Sequence, residues 1–327
     1  MNAPLRVAVT GAAGNISYSL LWMLVNGDCF GPNQPIILHL LEITPAMEKL
    51  SGVVMELEDS APRLLHGIVA SDDPRRAFDG VNAAFLVGSR PRTAEMDRSD
   101  LIRANGPIFV GQGKALNDVA ARDVRVIVVG NPCNTNCLIA QKSARDIPAQ
   151  QFSAMTRLDH NRALGQLAAR AGVPVEKVRD VAVWGNHSDK MYADVTRATI
   201  DGAPVSSKFE ADWLRGGFLN TVATRGKAII KARGASSAAS AAGASVDPMR
   251  DWFLGSDGRV VSMAIPSEGW YGVPKGLIYS FPVTTTAGGK HEVITDWKVD
   301  DFGRAKIKEN VEELEAEQAA VADLLGA

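Results

Sequence analysis

A short apolar run, Arg6-Val7-Ala8-Val9-Thr10, passes through the small residues Gly11-Ala12-Ala13-Gly14 straight into a helical stretch from Asn15 to Val25. This strand–turn–helix unit limits the fold more than any other part of the chain. A turn-rich loop, Asn26 to Pro35, leads from the helix to a second apolar strand, Ile36 to Leu41. Strands joined through helices lie parallel, because the helix carries the chain back to the edge where the first strand began. Ala83 to Val87 and Val124 to Val129 repeat the buried-strand pattern, and Pro107 to Ala121 predicts a helix between them. The first half therefore reads as an α/β unit, a parallel sheet with helices on both faces.

The second half is less regular. Helical spacing covers Asn161 to Ala171 and Asp212 to Arg233, and strands are expected at Val178 to Trp184, Val260 to Pro266 and Gly276 to Thr286. The charged amphipathic stretch Arg304 to Leu325 reads as a helix covering a core face. Gly234 to Ser245, GASSAASAAGAS, is either a flexible linker by composition or a closely packed helix by its alanines; the helix is the preferred reading. At roughly 150 residues per domain, 327 residues make about two domains. The boundary is placed between Ile147 and Ser153, giving domains 1–152 and 153–327.

Composition removes several function classes. With 35 Lys+Arg against 37 Asp+Glu the chain has no basic excess, which argues against nucleic acid or an anionic membrane as partner. Three cysteines, Cys29, Cys133 and Cys137, make no disulfide framework and no CxxC pair, and no spacing suggests a metal site. No signal peptide or membrane-length apolar run is visible, so a cytoplasmic protein is expected.

Four local patterns carry chemistry. Gly11 to Ser17 has the spacing GxxGxxS between strand and helix, where small residues let a pyrophosphate approach the helix N-terminus. Glu42 closes the second strand, where a carboxylate accepts from both ribose hydroxyls and disfavours a 2′-phosphate; alone, it is equally a solvated strand end. Arg90-Pro91-Arg92-Thr93-Ala94-Glu95-Met96-Asp97-Arg98-Ser99-Asp100 follows a buried strand; it is either a solvated surface loop or a set of guanidinium forks for carboxylates. Asn131 ends another strand, as an Asx turn or as a donor to substrate.

The acid–base couple is the most informative. His187, in Trp184-Gly185-Asn186-His187-Ser188, sits at a loop tip after a strand. A neutral imidazole there accepts a proton while hydride leaves the adjacent carbon. Asp159 is the candidate to orient the ring, and Arg162, one helical turn on, the candidate clamp for a carboxylate. Taken singly, His187 also reads as a satisfied structural histidine.

Together these blocks resemble the malate dehydrogenases of the lactate/malate dehydrogenase superfamily, closest to the cytosolic-type branch and over nearly the whole chain. The stretches are TGAAGNISYSLL, QPIILHLLEITPAM, GVVMELED, GNPCNTN, MTRLDHNRA, WGNHS, RGASSAASAA and GLIYSFPVT. The resemblance implies an N-terminal Rossmann doubly wound sheet, a C-terminal α+β substrate domain, NAD as cofactor, malate and oxaloacetate as substrates, and a homodimer. It implies that His187 exchanges the proton, with Asp159 paired to it. Arg162 would hold the carboxylate beside the reacting carbon, Arg92 the distal carboxylate, and Arg98 would polarise the carbonyl. Asn131 would contact substrate near the nicotinamide. Gly11, Ala12, Ala13, Gly14, Asn15, Ile16 and Ser17 would hold the pyrophosphate and Glu42 the ribose, with Asn105, Gln112, Val129, Gly130 and Asn131 also at NAD-contacting positions.

Departures from the family pattern fall at Ser17, Glu95, Asp189, Lys190 and the stretch DSAPRLLHG. Ser17 is expected to crowd the helix–strand packing or the cofactor, and Glu95 to weaken oxaloacetate affinity. Two other readings remain: a dehydrogenase of lactate or another 2-hydroxy acid, which leaves Arg92 unpaired, and a dinucleotide binder without catalysis.

Overall fold

The computed structural model of the chain describes residues 2–90, 96, 98–286 and 288–326. The first strands are β1 (Leu5–Thr10), β2 (Ile36–Leu41), β3 (Leu65–Ser71), β4 (Ala83–Leu86), β5 (Arg125–Val128) and β6 (Phe152–Ala154). They are joined through α1 (Asn15–Val25), α2 (Met47–Asp59), α3 (Pro74–Ala77), α4 (Arg98–Val119) and α5 (Cys133–Ser143). All pair in parallel, in the order β3-β2-β1-β4-β5-β6. This is the doubly wound order of a Rossmann sheet.

The alternation of side chains explains the two covered faces. Val7, Val9, Phe85 and Ile127 enter one core with Leu20, Leu21 and Leu24 of α1. Ala8, Ala84, Leu86, Val126 and Val128 enter the other with Phe109 and Leu116 of α4 and Ile139 of α5. With both faces buried, these strands are apolar throughout rather than alternating with polar residues.

After α6 (Arg157–Ala171) come the short strands β7 (Val178–Arg179), β8 (Ala182–Trp184), β9 (Tyr192–Asp194), β10 (Thr199–Ile200) and β11 (Ala203–Pro204). They pair antiparallel in two small sheets, β11-β10-β7 and β8-β9. A third core joins Ala163 and Leu167 of α6 to Val178, Ile200, Phe218 and Val222. The helices α7 (Leu219–Arg233) and α8 (Ala239–Leu254) precede β12 (Val261–Pro266), β13 (Ile278–Thr285) and β14 (His291–Val293). These last three strands extend the main sheet antiparallel from β6, making nine strands among the described residues. The chain closes with α9 (Asp301–Ala320) and α10 (Ala322–Leu325).

Five expectations change, one of them the single helix expected from Arg304 to Leu325, which is α9 and α10 with a break at Val321. The helix expected from Pro107 begins at Arg98, with Pro107 inside α4; Pro107 and Arg103, whose carbonyl loses its amide partner, are both exposed, so no unpaired group need be buried. The strand expected from Val178 to Trp184 is two strands, broken at Asp180, whose φ is 56°. GASSAASAAGAS divides: Gly234 ends α7 with φ 72°, and α8 begins at Ala239. The helix expected from Asp212 opens with one wide turn, Trp213–Phe218, before α7. No helix of the described residues is long and apolar enough to cross a membrane.

His160, in the first turn of α6, shows how a buried histidine is held neutral. Its Nδ1 is in hydrogen-bond contact with Ser262 Oγ at 2.9 Å, and the same oxygen accepts from the Val183 amide at 2.8 Å. Burial, with the Arg157 and Arg259 charges, pushes its pKa down to about 3. The unfolded chain binds this proton near about pH 6.5, so in the interval between the two values the folded state holds fewer protons. The stability is present above the unfolded value and is lost as pH falls through it toward about 3. Thermal unfolding followed from about pH 7.5 to about pH 5 is expected to show a falling Tm. The fall should be shallower in His160→Asn, whose amide oxygen can take the Ser262 proton; parallel slopes would remove this assignment.

Candidate active site

The acid–base couple meets at the end of the parallel sheet. Asp159 stands in the first turn of α6, directly after β6, and His187 on the turn that follows β8. His187 Nδ1 lies 2.5 Å from Asp159 Oδ2, and Arg162 Nη1 donates to Asp159 Oδ1 at 3.2 Å. The Asp159 side chain is 4% exposed, that of His187 17% and that of Arg162 12%. With Nδ1–H directed to the carboxylate, Nε2 is the acceptor nitrogen, and it has no hydrogen-bond partner among the described residues. Arg162 Nε is buried and has no hydrogen-bond partner among the described residues. A Cβ at Gly226 of α7 would lie 3.6 Å from Arg162 Nη2, so α7 passes close over the guanidinium with no side chain in between.

The sheet extension positions this pair. Ser280 of β13 exchanges backbone hydrogen bonds with Gly185, and its hydroxyl donates to the Val183 carbonyl at 2.7 Å. Thr156 Oγ1 at the start of α6 lies 2.9 Å from the same hydroxyl. Asn134 of α5 accepts from the His187 amide at 3.1 Å and donates to the carbonyls of Ile278 at 2.9 Å and Gly185 at 3.3 Å. The amide oxygen of Asn310 on α9 accepts from the Asn186 amide at 2.9 Å, and its nitrogen donates to the Lys190 carbonyl at 2.8 Å. Sequence reasoning missed Asn134, Ser280 and Asn310. GNPCNTN contained the first, but its partners are backbone groups of distant segments.

The glycine turn is built for close approach. Gly11 has φ 60°, and a Cβ there would come 2.6 Å from Gly88 Cα in the turn after β4. Gly14 caps α1 without a side-chain hydrogen bond, leaving the first amides of the helix for an anion. Glu42 accepts from the Ala13 amide at 3.1 Å and the Ile43 amide at 2.9 Å, one bond to each carboxylate oxygen. A carboxylate has about four acceptor sites, so Glu42 keeps capacity for ribose hydroxyls. Ser17 is buried, with its hydroxyl 3.3 Å from the Thr10 carbonyl, so the helix–strand packing accommodates it. These residues fit a dinucleotide: a tight backbone turn, open helix amides and an acidic strand end.

The remaining predicted positions divide. Val129 and Gly130 donate their amides to the Leu86 carbonyl at 2.9 and 3.0 Å, and Asn131 is exposed at the tip beyond β5. Asn105 is fully buried in α4, accepting from the Arg90 amide at 2.7 Å and donating to the Leu101 carbonyl at 3.0 Å and the Asn131 carbonyl at 3.3 Å. It braces the strand-end turns from beneath. Gln112 is buried in α4, and its Oε1 has no partner among the described residues. Arg92 and Glu95 lie outside the described residues, and Arg98 is placed only as the first residue of α4. Asp189 pairs with Lys227 of α7. No group of three or more metal-ligating side chains occurs among the described residues.

A family model described as lactate/malate dehydrogenase, NAD binding domain, matches residues 5–153, and one described as lactate/malate dehydrogenase, alpha/beta C-terminal domain, matches residues 156–324. Malate dehydrogenase from Naegleria fowleri is 44% identical, with 99% of each chain covered and a TM-score of 0.96. Lactate dehydrogenase of Trichomonas vaginalis, in complex with NADH and oxamate, is 39% identical over 98% of this chain and 99% of that one, with a TM-score of 0.95. Malate dehydrogenase from Plasmodium falciparum, at 18% identity and a TM-score of 0.85, shares the fold.

The glycine turn gives a direct test of the cofactor site. Gly11→Ala places a Cβ against Gly88 at a left-handed φ, a strain of about 1–3 kcal/mol before the clash is counted. NADH binding followed by fluorescence is expected to weaken by at least about tenfold, with a lowered Tm; undiminished affinity would show that the turn does not approach the cofactor.

Proposed function

Because the chain belongs to the lactate/malate dehydrogenase family, with the family's NAD-binding and C-terminal domains both present, we propose that it is an NAD-dependent malate dehydrogenase interconverting (S)-malate and oxaloacetate. The observation that carries the reading is the Asp159–His187 pair beside Arg162. NAD, when bound, supplies the hydride acceptor or donor. In malate oxidation His187 Nε2 takes the hydroxyl proton, and Asp159 holds the ring and balances the imidazolium that forms. Arg162 binds the carboxylate beside the reacting carbon through the guanidinium edge that Asp159 leaves unused. For oxaloacetate reduction the same Nε2 returns the proton.

The finer choice, malate over lactate, rests on Arg92. A dicarboxylate needs a second cation, and a monocarboxylate would leave the guanidinium without a partner. We assign Arg98 to the polarisation of the carbonyl and Asn131 to a substrate contact near the nicotinamide. Residues 1–152 are assigned to the cofactor and 153–327 to the substrate. The proposal includes a cytoplasmic homodimer: the cysteines are buried and free, and the apolar side chains of Tyr18, Ile43 and Met55 stand exposed on and near α1 and α2.

Two measurements test this. With NADH, oxaloacetate is expected to be reduced faster than pyruvate, and Arg92→Gln to lower kcat/KM for oxaloacetate by at least about 30-fold while leaving pyruvate nearly unchanged. Faster pyruvate reduction by the parent enzyme would move the assignment to lactate. His187→Asn is expected to abolish turnover of either acid while NADH binding persists. If it stayed active the proton route would be wrong, and if the parent bound NADH but reduced neither acid, the chain would be a binder.

A further inference from the structure

The C-terminal helix does more than cover the core. Glu313 and Glu317, one turn apart on α9, both reach the loop that carries His187. Asn186 Nδ2 donates to Glu313 Oε2 at 2.9 Å and to Glu317 Oε1 at 2.8 Å, and Ser188 Oγ donates to the same Glu313 Oε2 at 2.6 Å. The residues on either side of His187 are therefore fastened to one oxygen atom of one side chain. Thr135 Oγ1 of α5 bonds Glu317 from the other side, which fixes α9 against the helix that also carries Asn134. The Ser188 hydroxyl accepts from the Lys190 amide at 3.1 Å, so the bond to Glu313 also closes the turn after His187.

We propose that Glu313 is a positioning residue for the proton transfer: it fixes Asn186 and Ser188, and through them the direction in which His187 presents Nε2. This rests on the dehydrogenase reading given above. Glu313 touches neither substrate nor cofactor in this role. It works because, among the described residues, the His187 side chain has one hydrogen bond, to Asp159, about which the ring can still tilt. The two neighbours, together with the Asn134 bond to the His187 amide, determine where the His187 backbone lies, and a displacement of about 1 Å at a reacting atom costs up to about a hundredfold in rate. Since both bonds end on the same oxygen, a glutamine amide oxygen in that place can accept them both, and an alanine can accept neither.

The test uses full-length Glu313→Ala and Glu313→Gln, with the exposed Glu315→Ala as control. Three quantities are read: kcat and KM for whichever 2-oxo acid the parent reduces, Tm, and the downfield imidazole proton of the His187–Asp159 bond by NMR, assigned by its loss in His187→Asn. Glu313→Ala is expected to lower kcat between about 10-fold and about 100-fold with KM nearly unchanged, and to broaden or lose the downfield proton. Glu313→Gln should restore both, and Glu315→Ala should match the parent. A Glu313→Ala enzyme with the parent's kcat and an intact proton signal would overturn the proposal, as would a Glu313→Gln enzyme no better than alanine. If Glu313→Ala does not fold, Ser188→Ala removes one bond from the loop side and decides by the same readings. If the parent reduces no 2-oxo acid, the dehydrogenase reading fails, and the proton signal alone decides whether Glu313 holds the ring.

Discussion

The Asp159 carboxylate is the point on which the molecule turns. It is 4% exposed, and a carboxylate so placed needs polar partners, because removing one leaves an uncompensated buried group at a cost of about 3–5 kcal/mol. Its two partners come from different places. Arg162 lies one turn along the same helix, whereas His187 is 28 residues away on a separate turn. The first follows from local sequence, and the second requires a tertiary frame. β12 and β13 supply it, continuing the parallel sheet past β6 so that Ser280 can bind both the Val183 carbonyl and the Thr156 hydroxyl. The antiparallel extension and the Asp159–His187 pair are thus one structural fact.

How much of this was legible in the sequence follows from the range of each interaction. Strands β1, β2 and β4 could be read because both faces are buried, which makes each a short apolar run bounded by small or polar residues. Helix α1 could be read to its ends because the turn before it and the Asn26 turn after it are chemically distinct. Pro107 misled, since a proline inside a helix and one at its first turn look alike until the exposed side is known. The joining of β12 to β14 onto the parallel sheet left no local mark, because an antiparallel partner is chosen by tertiary fit and not by composition.

The site divides in the same way. Asp159, Arg162 and His187 were visible because each carries a reactive group in a recognisable setting. Asn134, Ser280, Asn310 and Glu313 were not, because they act on the backbone or neighbours of His187 from α5, β13 and α9. An asparagine or glutamate on a helix looks like surface until its partner is known. Asn105 carried the opposite risk: a polar residue at a cofactor-associated position turns out to spend its donors and acceptor on the backbone of Arg90, Leu101 and Asn131.

On the proposed reading, substrate choice is separable from proton transfer. Asp159 and His187 serve any 2-hydroxy acid, and Arg162 serves any carboxylate beside the reacting carbon. Nothing in that trio measures what lies at the other end of the substrate. Discrimination falls to the segment between β4 and α4, whose near end is braced by Asn105 through the Arg90 amide. A site built to hydrogen-bond a charged group rejects the analogue that lacks it, because the guanidinium is then desolvated without compensation. Near-neutral overall charge is compatible with this, because specificity depends on placing one arginine in that segment while the frame around Asp159 stays unchanged.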